Sequence, residues 1–237
     1  MNDDYRRIAR IYDLFFSTAL KQLRQDIRTF IFHKKYQRVV DICCGTGEQL
    51  RYLSGSHMQL CGIDSSLAML EQARKVCSGE VDLHLLDAEQ DSFAANSFDC
   101  AILSLALHEK HPSSARTIYA NCHRLLREQG ALIIADFNPP AKGILGSFLG
   151  RCVIPLIEKC AGSDHYLNYS QWVDGGGLEQ FLNRLNVTAE IISQPLHGNL
   201  LCCAVIKDDY RKVTQQNFAL LDLNLRQNRQ NQPSYQS

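Results

Sequence analysis

The sequence predicts an α/β fold with a mostly parallel sheet, on the basis of two repeating patterns. Short apolar runs, each of strand length, recur at residues 38–43, 59–63, 81–86, 99–107 and 131–137. Helical patterns separate them at residues 46–54, 66–77 and 113–128, the last introduced by Pro112, which suits a first helical turn. This alternation of strand and helix favours parallel strands covered by helices on both faces.

Further elements flank this core. Apolar residues at helical spacing within residues 5–32 predict one or two amphipathic helices before the first strand. After the fifth run, residues 143–160 (GILGSFLGRCVIPLIEKC) form an apolar, helix-like insertion that contains Pro155, and residues 163–172 are rich in aromatic side chains. The patterns that follow predict a helix, a late antiparallel hairpin and a last helix, at residues 177–186, 187–193 with 200–206, and 209–225.

The composition excludes several classes of protein. Of 237 residues, 45% are hydrophobic and 21% charged, and the formal net charge is zero, as in ordinary soluble globular proteins. Because no basic surplus is present to bind phosphates, we expect no nucleic-acid partner. The N-terminus lacks the apolar stretch of a secretory signal, and Arg151 interrupts the longest apolar run, so we expect a cytoplasmic protein.

The ten cysteines invite a disulfide or metal interpretation. They are scattered along the chain, without a CxxC pair or a Cys/His ligand spacing. In a chain without an export signal, this pattern predicts buried free thiols and no metal site.

The segment VVDICCGTGE, residues 39–48, predicts a sharp turn from a buried strand into a helix. Glycines at 45 and 47 allow a ligand to approach the backbone, and the helix start offers free N–H groups and a positive dipole end. Dinucleotides and S-adenosylmethionine are both bound in this way. A dinucleotide fingerprint that begins at Gly45 would require glycine or alanine where Leu50 stands, which weakens the dinucleotide interpretation.

At this turn the sequence resembles the class I S-adenosylmethionine-dependent methyltransferases. Their first motif is an acid followed by alternating glycines, matched by Asp41, Cys43, Gly45 and Gly47, with Cys43 in place of the first glycine. The resemblance continues in LCGIDSS, HLLDAEQ and SFDCAILSLALHE, and it covers about residues 36–137. It implies a Rossmann-like methyltransferase fold with S-adenosylmethionine as the cofactor.

The resemblance also implies roles for individual residues. Asp64 would bind both ribose hydroxyls, and Asp87, followed by Ala88, would lie near the adenine amino group. Each acid could also have a purely structural role: Asp41 as a turn or capping carboxylate, Asp64 as a helix N-cap, and Asp87 as a loop residue. The full set of expected cofactor-binding residues is Tyr12, Asp41, Cys43, Gly45, Gly47, Asp64, Ser65, Asp87, Ala88 and Leu105.

The expected catalytic residues are His108, Tyr166 and Tyr169. His108 ends the fourth run, where the family directs residues toward the transferred methyl group, and the tyrosines would wall the acceptor. Alternatively, His108 is a loop histidine or a cap for the helix after Pro112, and the tyrosines anchor the insertion by burying their rings. Glu109, His111, Asp136 and His165 are further titratable candidates near the mouth of the site.

The N-terminal segment ARIYDLFF is similar to the opening of quinone C-methyltransferases, which implies that Tyr12 lies against the cofactor, although it also fits a core aromatic. The expected function is methyl transfer to a small, apolar acceptor that is quinone-, lipid- or polyketide-like. Cys43 and Cys44 leave a thiophilic acceptor such as arsenite as a minor alternative. The same turn would also suit a catalytically silent S-adenosylmethionine-binding module or an NAD(P)-dependent oxidoreductase.

We expect a single domain at residues 1–225. Residues 1–35 would form a helical cover, residues 139–175 a lid over the substrate, and residues 226–237 a disordered tail. The apolar side chains of residues 143–160 would serve as a lid, a dimer contact or a transient contact with a membrane surface. A homodimer could also form through residues 210–225.

Overall fold

A computed structural model of the chain describes residues 3–77, 79–90, 93–161 and 163–207. Within these ranges one sheet contains the strands β1 (Arg38–Ile42), β2 (Gln59–Asp64), β3 (Val81–Leu85), β4 (Phe98–Ser104), β5 (Leu126–Phe137), β6 (Glu190–Ser193) and β7 (Leu200–Ile206). The α-helices of the same ranges are α1 (Asp3–Lys34), α2 (Glu48–Leu53), α3 (Leu67–Val76), α4 (Pro112–Leu125), α5 (Ile144–Phe148), α6 (Ile154–Ala161), α7 (Ser163–Asp174) and α8 (Gly177–Leu185).

The strand order is β3-β2-β1-β4-β5-β7-β6, with β1 to β5 parallel and β7 antiparallel to both β5 and β6. The predicted parallel sheet with a late antiparallel hairpin is therefore confirmed. In this order the chain leaves β1 toward β2 on one side and returns to β4 on the other. A crevice opens at such a switch point, beyond the carboxyl ends of the strands, and ligands of open α/β sheets bind there.

Helices cover both faces of the sheet, as the mainly apolar sequences of its central strands predict. Val39 and Val40 alternate between the faces and are both fully buried. Leu23, Ile27 and Ile31 follow one another at helical spacing on α1, and they pack on the face that also receives α2 and α3. The amphipathic N-terminal pattern therefore forms one long helix whose second half belongs to the core.

Two element boundaries differ from the prediction. The helix predicted over residues 113–128 ends at Leu125, and β5 begins directly at Leu126 rather than at residue 131. The strand predicted over residues 99–107 ends at Ser104, because Leu105 adopts a left-handed backbone with φ of 54°. At the first boundary the buried residues Leu125 and Leu126 continue through the change of backbone, and at the second the apolar residues 105–107 follow it, so periodicity locates neither.

The insertion after β5 is helical, as predicted, but it is not regular. Between α5 and α6 the helix widens into a π-helical turn, Leu149–Val153. Pro155, two residues after Val153, has no N–H to donate to the carbonyl four residues earlier, which accounts for the irregularity. No helix in the described ranges has the length and apolarity needed to cross a membrane. The predicted segments 210–225 and 226–237 lie outside the described residues.

Candidate active site

A cavity of about 430 Å³ opens at the carboxyl ends of β1, β2 and β4, at the switch point of the sheet. Its size is typical of a pocket for a small molecule or cofactor, about 300–1,000 Å³. Its described lining consists of Leu20, Leu23, Arg24, Asp41, Cys43, Cys44, Gly45, Thr46, Glu48, Gln49, Asp64, Ser65, Ser66, Met69, Ser104, Leu105, Ala106, Glu109 and Lys110.

The turn after β1 presents its backbone to this cavity. Gly45 has φ of 54°, and a Cβ built on it would meet no atom within 4 Å, so a ligand can approach this position closely. Cys43, which stands where the family has a glycine, also adopts a left-handed φ of 57°. Gly47 serves another purpose, because its Cβ would lie 2.9 Å from both Ala73 Cβ and Cys77 Sγ. It permits α2 to pack on α3 and is outside the described lining.

Asp64 is held between two loops at the end of β2. Its Oδ2 accepts a hydrogen bond from the Gly45 N–H at 2.8 Å, and its Oδ1 accepts one from the Ser66 N–H at 2.8 Å. The N-cap of α3 is Ser66, whose hydroxyl accepts from the Met69 N–H. Each Asp64 oxygen keeps acceptor capacity toward the cavity, which suits a ligand with two adjacent hydroxyls.

Asp41 is a buried carboxylate at the wall of the cavity. Its residue is 3% exposed and borders the cavity, and among the described residues no hydrogen bond or ion pair reaches its side chain. Burial raises the pKa of Asp41 to about 8, although the Arg24 guanidinium acts in the opposite direction. A buried carboxylate of this kind fits a cationic group of a ligand.

Arg24 was not singled out from the sequence. It extends from α1 into the described lining of the cavity, and burial lowers its pKa. The available signal was its position directly after Leu23 and three residues before Ile27, at the border of the apolar face of α1. The side chain of Tyr12, on the first half of the same helix, is outside the described part of the chain.

Asp87 and Ala88 follow β3, beside the end of β2, where the Leu86 N–H donates to the Asp64 carbonyl at 3.0 Å. The Asp87 carboxylate is exposed and accepts from the Glu89 N–H at 2.9 Å, and Ala88 is buried in the core. Neither residue is part of the described cavity lining. Ser65 and Leu105, by contrast, both border the cavity.

His108 lies on a 3-10 turn, Leu107–Glu109, and is buried rather than exposed to the cavity. Its Nδ1 lies 2.7 Å from Asp136 Oδ1, while Asp136 Oδ2 accepts from the backbone N–H groups of Leu107 and His108. Burial lowers the pKa of His108, but the carboxylates of Asp136, Glu158 and Glu109 together outweigh burial, so the net shift is upward. The cap of α4 is made by His111, whose Nδ1 accepts from the Ser113 N–H.

Two carboxylates connect this histidine to the insertion. Glu109 Oε1 lies 2.9 Å from His165 Nε2, and Glu158 Oε2 lies 3.0 Å from His165 Nδ1. His108 Nε2 lies 3.8 Å from both carboxylates. Burial raises the pKa of Glu158, against the opposing effect of both histidines. Glu109 belongs both to this cluster and to the described lining of the cavity.

The aromatic residues of α7 anchor the insertion to the core. Tyr169 is 4% exposed and contacts Phe137 edge to face, while Tyr166 stacks against Tyr169. The indole N–H of Trp172 donates to the Phe137 carbonyl at 2.8 Å. Tyr166 and Tyr169 are not in the described lining of the cavity, so their predicted contact with the acceptor stays a prediction.

The cysteines are free thiols wherever their side chains are described, as predicted. Burial raises the pKa of Cys43 to about 12, and the pKa of Cys44 is raised for the same reason. These thiols are therefore protonated at neutral pH, which disfavours a thiophilic acceptor. Among the described residues no group of three histidine, cysteine or acidic side chains is arranged to hold a metal.

Comparison with known proteins identifies the class. A family described as a methyltransferase domain matches residues 39–130. The N-methyltransferase NodS from Bradyrhizobium japonicum, solved with S-adenosyl-l-homocysteine, covers 77% of this chain and 86% of its own at 16% identity and a TM-score of 0.53. An O-methyltransferase family protein from Burkholderia thailandensis covers 86% of this chain and 60% of its own at 15% identity and a TM-score of 0.57. These two similarities show the fold.

Sequence relatives define the family more closely. The demethylmenaquinone methyltransferase of Thermotoga maritima is 32% identical over 174 residues, 68% of this chain and 74% of that protein. The ubiquinone/menaquinone biosynthesis C-methyltransferase UbiE of Desulfotalea psychrophila is 30% identical over 167 residues, 66% of this chain and 67% of that protein. The protein is a class I S-adenosylmethionine-dependent methyltransferase, and it belongs to the family that contains these quinone C-methyltransferases. This family assignment replaces the two alternative functions, an NAD(P)-dependent oxidoreductase and a catalytically silent S-adenosylmethionine-binding module.

Proposed function

We propose that this enzyme methylates a ring carbon of a small, apolar quinol, as the names of its relatives suggest. The similarity to the demethylmenaquinone methyltransferase, over most of both chains, carries the proposal. The presence of a titratable carboxylate, Glu109, at the cavity supports it, because placing a methyl group on an aromatic carbon requires that the acceptor lose a proton.

The cavity fits the cofactor by its chemistry. We assign the ribose hydroxyls to Asp64, the adenine amino group to Asp87, and the close backbone approach to Gly45. The buried carboxylate of Asp41 suits the ammonium group at the amino-acid end of the cofactor, and the Arg24 guanidinium suits the carboxylate of the same end. When bound, S-adenosylmethionine supplies a methyl group on a sulfonium, so the protein's main task is to orient the acceptor for in-line attack. The other residues that we propose to contact the cofactor are Tyr12, Cys43, Ser65, Ala88 and Leu105.

The segment 139–175 is proposed as the lid over the acceptor. Ile144 is 95% exposed, and Leu145 and Phe148 are about half exposed, on a helix flanked by the exposed cations Lys142 and Arg151. Apolar side chains beside cations suit an anionic lipid surface, from which an apolar acceptor could be taken. A cytoplasmic location and a homodimer stay predictions.

Methyl-labelled S-adenosylmethionine tests the function directly. Purified protein is incubated under argon with 1,4-naphthohydroquinone that carries a short isoprenoid chain, and we expect the label on the ring carbon. Parallel reactions with a phospholipid amine and with arsenite cover the competing acceptor classes. Binding of the cofactor without any transfer to the naphthohydroquinone would overturn the proposed acceptor.

A further inference from the structure

A chain of acid–base groups runs from the cavity wall into the protein beneath the insertion. It begins at Glu109, passes through His165 to Glu158, and comes within 3.8 Å of His108, which is bonded to Asp136. The two nearest links, at 2.9 and 3.0 Å, are hydrogen-bond distances. A histidine between two carboxylates can accept a proton on one nitrogen while it releases one from the other.

We propose that Glu109 is the catalytic base that takes the hydroxyl proton of the acceptor, and that His165 and Glu158 position it and carry that proton away. Glu109 meets both requirements of such a base: it borders the cavity, and its carboxylate contacts a second proton carrier. This inference rests on the proposed function, since it assumes a hydroxylated aromatic acceptor.

His108 is not placed to perform this step. Its side chain is 3% exposed and both of its ring nitrogens face carboxylates, so the acceptor has no path to it. It helps instead to balance the charge of the buried cluster. The side chain of His165 is 28% exposed, which provides an exit for the proton to solvent.

Protons and electrons balance in this step. The hydroxyl O–H bond breaks and its proton passes to a Glu109 oxygen, which leaves an electron-rich oxyanion. The ring carbon beside it forms a bond to the methyl group, and the electron pair of the broken carbon–sulfur bond stays on sulfur. The carbon then loses its own proton, the oxygen is reprotonated, and one proton in total is released to water.

Several groups interact electrostatically with Glu109. They come from the turn after β1, the turn after β4, α6 and α7, and they are Cys43, His108, Glu158 and His165. Lys110, next in sequence and also at the cavity, is the cation best placed to stabilise the oxyanion.

Single-turnover methyl transfer to the same naphthohydroquinone tests the inference. We expect Glu109→Gln to lower the rate at neutral pH by at least about 100-fold, the usual contribution of general base catalysis, with cofactor affinity nearly unchanged. The deficit should shrink as pH approaches about 10, where a phenolic hydroxyl ionises without help. Glu109→Asp should recover part of the rate. A Glu109→Gln rate within threefold of wild type overturns the inference.

His165→Ala provides a second, independent test, with His111→Ala as the matched control on the neighbouring loop. We expect roughly tenfold slower transfer that is restored by added imidazole, whereas a purely structural histidine would not respond to imidazole. An unrestored His165→Ala rate, or equal losses in both variants, overturns the role of His165. Wild-type protein that binds the cofactor but transfers nothing overturns the proposed acceptor and, with it, Glu109 as its base.

Discussion

His108 and Asp136 form a buried pair, with 2.7 Å between Nδ1 and Oδ1 and both side chains almost fully buried. Asp136 also accepts three backbone N–H bonds, from Leu107, His108 and Phe137. One carboxylate therefore holds the turn after β4 against the end of β5. That turn carries Glu109, so the pair determines the position of a group at the cavity wall.

Removal of the Asp136 charge should destabilise the protein. Asp136→Asn removes the counter-charge bonded to Nδ1 of the buried His108, and breaking a buried pair costs about 3–5 kcal/mol of unfolding free energy. Because the pKa of His108 is raised in the folded state, the contribution of the pair is complete below about pH 6.5 and is lost as pH rises through the folded value. Urea unfolding across this range measures it.

Asp82→Asn is the matched control for that experiment. Asp82 Oδ2 and His84 Nε2 are 2.9 Å apart, a distance close to that of the buried pair, but the aspartate side chain is 75% exposed. Exposed pairs contribute about 0–1 kcal/mol, so this variant should change the unfolding free energy little. Equal losses in the two variants would contradict the importance of burial.

Asp64→Ala should weaken S-adenosylmethionine binding at least tenfold. Hydrogen bonds to a charged acceptor contribute about 1.5–3 kcal/mol each, and the variant removes the acceptors proposed for the ribose. Titration calorimetry measures the affinity, with the exposed Asp174→Ala as the control. An unchanged affinity in folded Asp64→Ala would refute the ribose assignment.

Asp41→Asn should stabilise the cofactor-free protein and weaken cofactor binding. Folding raises the pKa of Asp41 from its ordinary value, about 4, to about 8, so the wild-type protein loses stability as pH rises between these values. Asparagine has no proton to lose, and since one pKa unit corresponds to about 1.4 kcal/mol, the gain at pH 8 should be on the order of 5 kcal/mol. Thermal unfolding at pH 5 and pH 8 checks this. If the stability gained by Asp41→Asn does not grow between pH 5 and pH 8, the raised pKa of Asp41 is contradicted.

Gly47→Ala should destabilise the protein more than Gly55→Ala. Both glycines have φ near 75°, but a Cβ at 47 would meet Ala73 and Cys77 at 2.9 Å, whereas a Cβ at 55 meets nothing within 4 Å. The backbone conformation costs about 1–2 kcal/mol in either variant, and overpacking adds about 1–3 kcal/mol at position 47. Denaturant unfolding of the two variants isolates the packing contribution. Equal effects would show that helix packing does not require this glycine.

Phe148→Ser should reduce binding to vesicles that contain anionic lipid. Phe148 is 56% exposed on the insertion, and its loss should lower the partition coefficient by about tenfold or more, since burial of a large apolar side chain contributes about 1.5–3 kcal/mol. Ile191→Ser, at a residue 61% exposed on the edge strand β6, is the control. Vesicle co-sedimentation measures both. Equal partitioning of wild type and Phe148→Ser would rule out membrane contact through this helix.

The strand and helix pattern, the cofactor class and the position of the site could all be predicted from the amino-acid sequence. Each depends on local chemistry: apolar periodicity, the glycines of the turn after β1, and acids such as Asp41 and Asp64 at strand ends. Since parallel strands place their carboxyl ends at one edge of a sheet, local patterns were enough to bring these residues together.

The acid–base chemistry depended on tertiary structure. His108 and Glu109 are adjacent in sequence, yet one is buried against Asp136 and the other borders the cavity. The backbone turn that separates them follows from hydrogen bonds to β5, and the partners of the two side chains come from β5, α6 and α7, all later in the chain. Burial and long-range contacts of this kind leave no periodic signal in a single sequence, so only the folded chain decides which of two neighbouring titratable residues can meet a substrate.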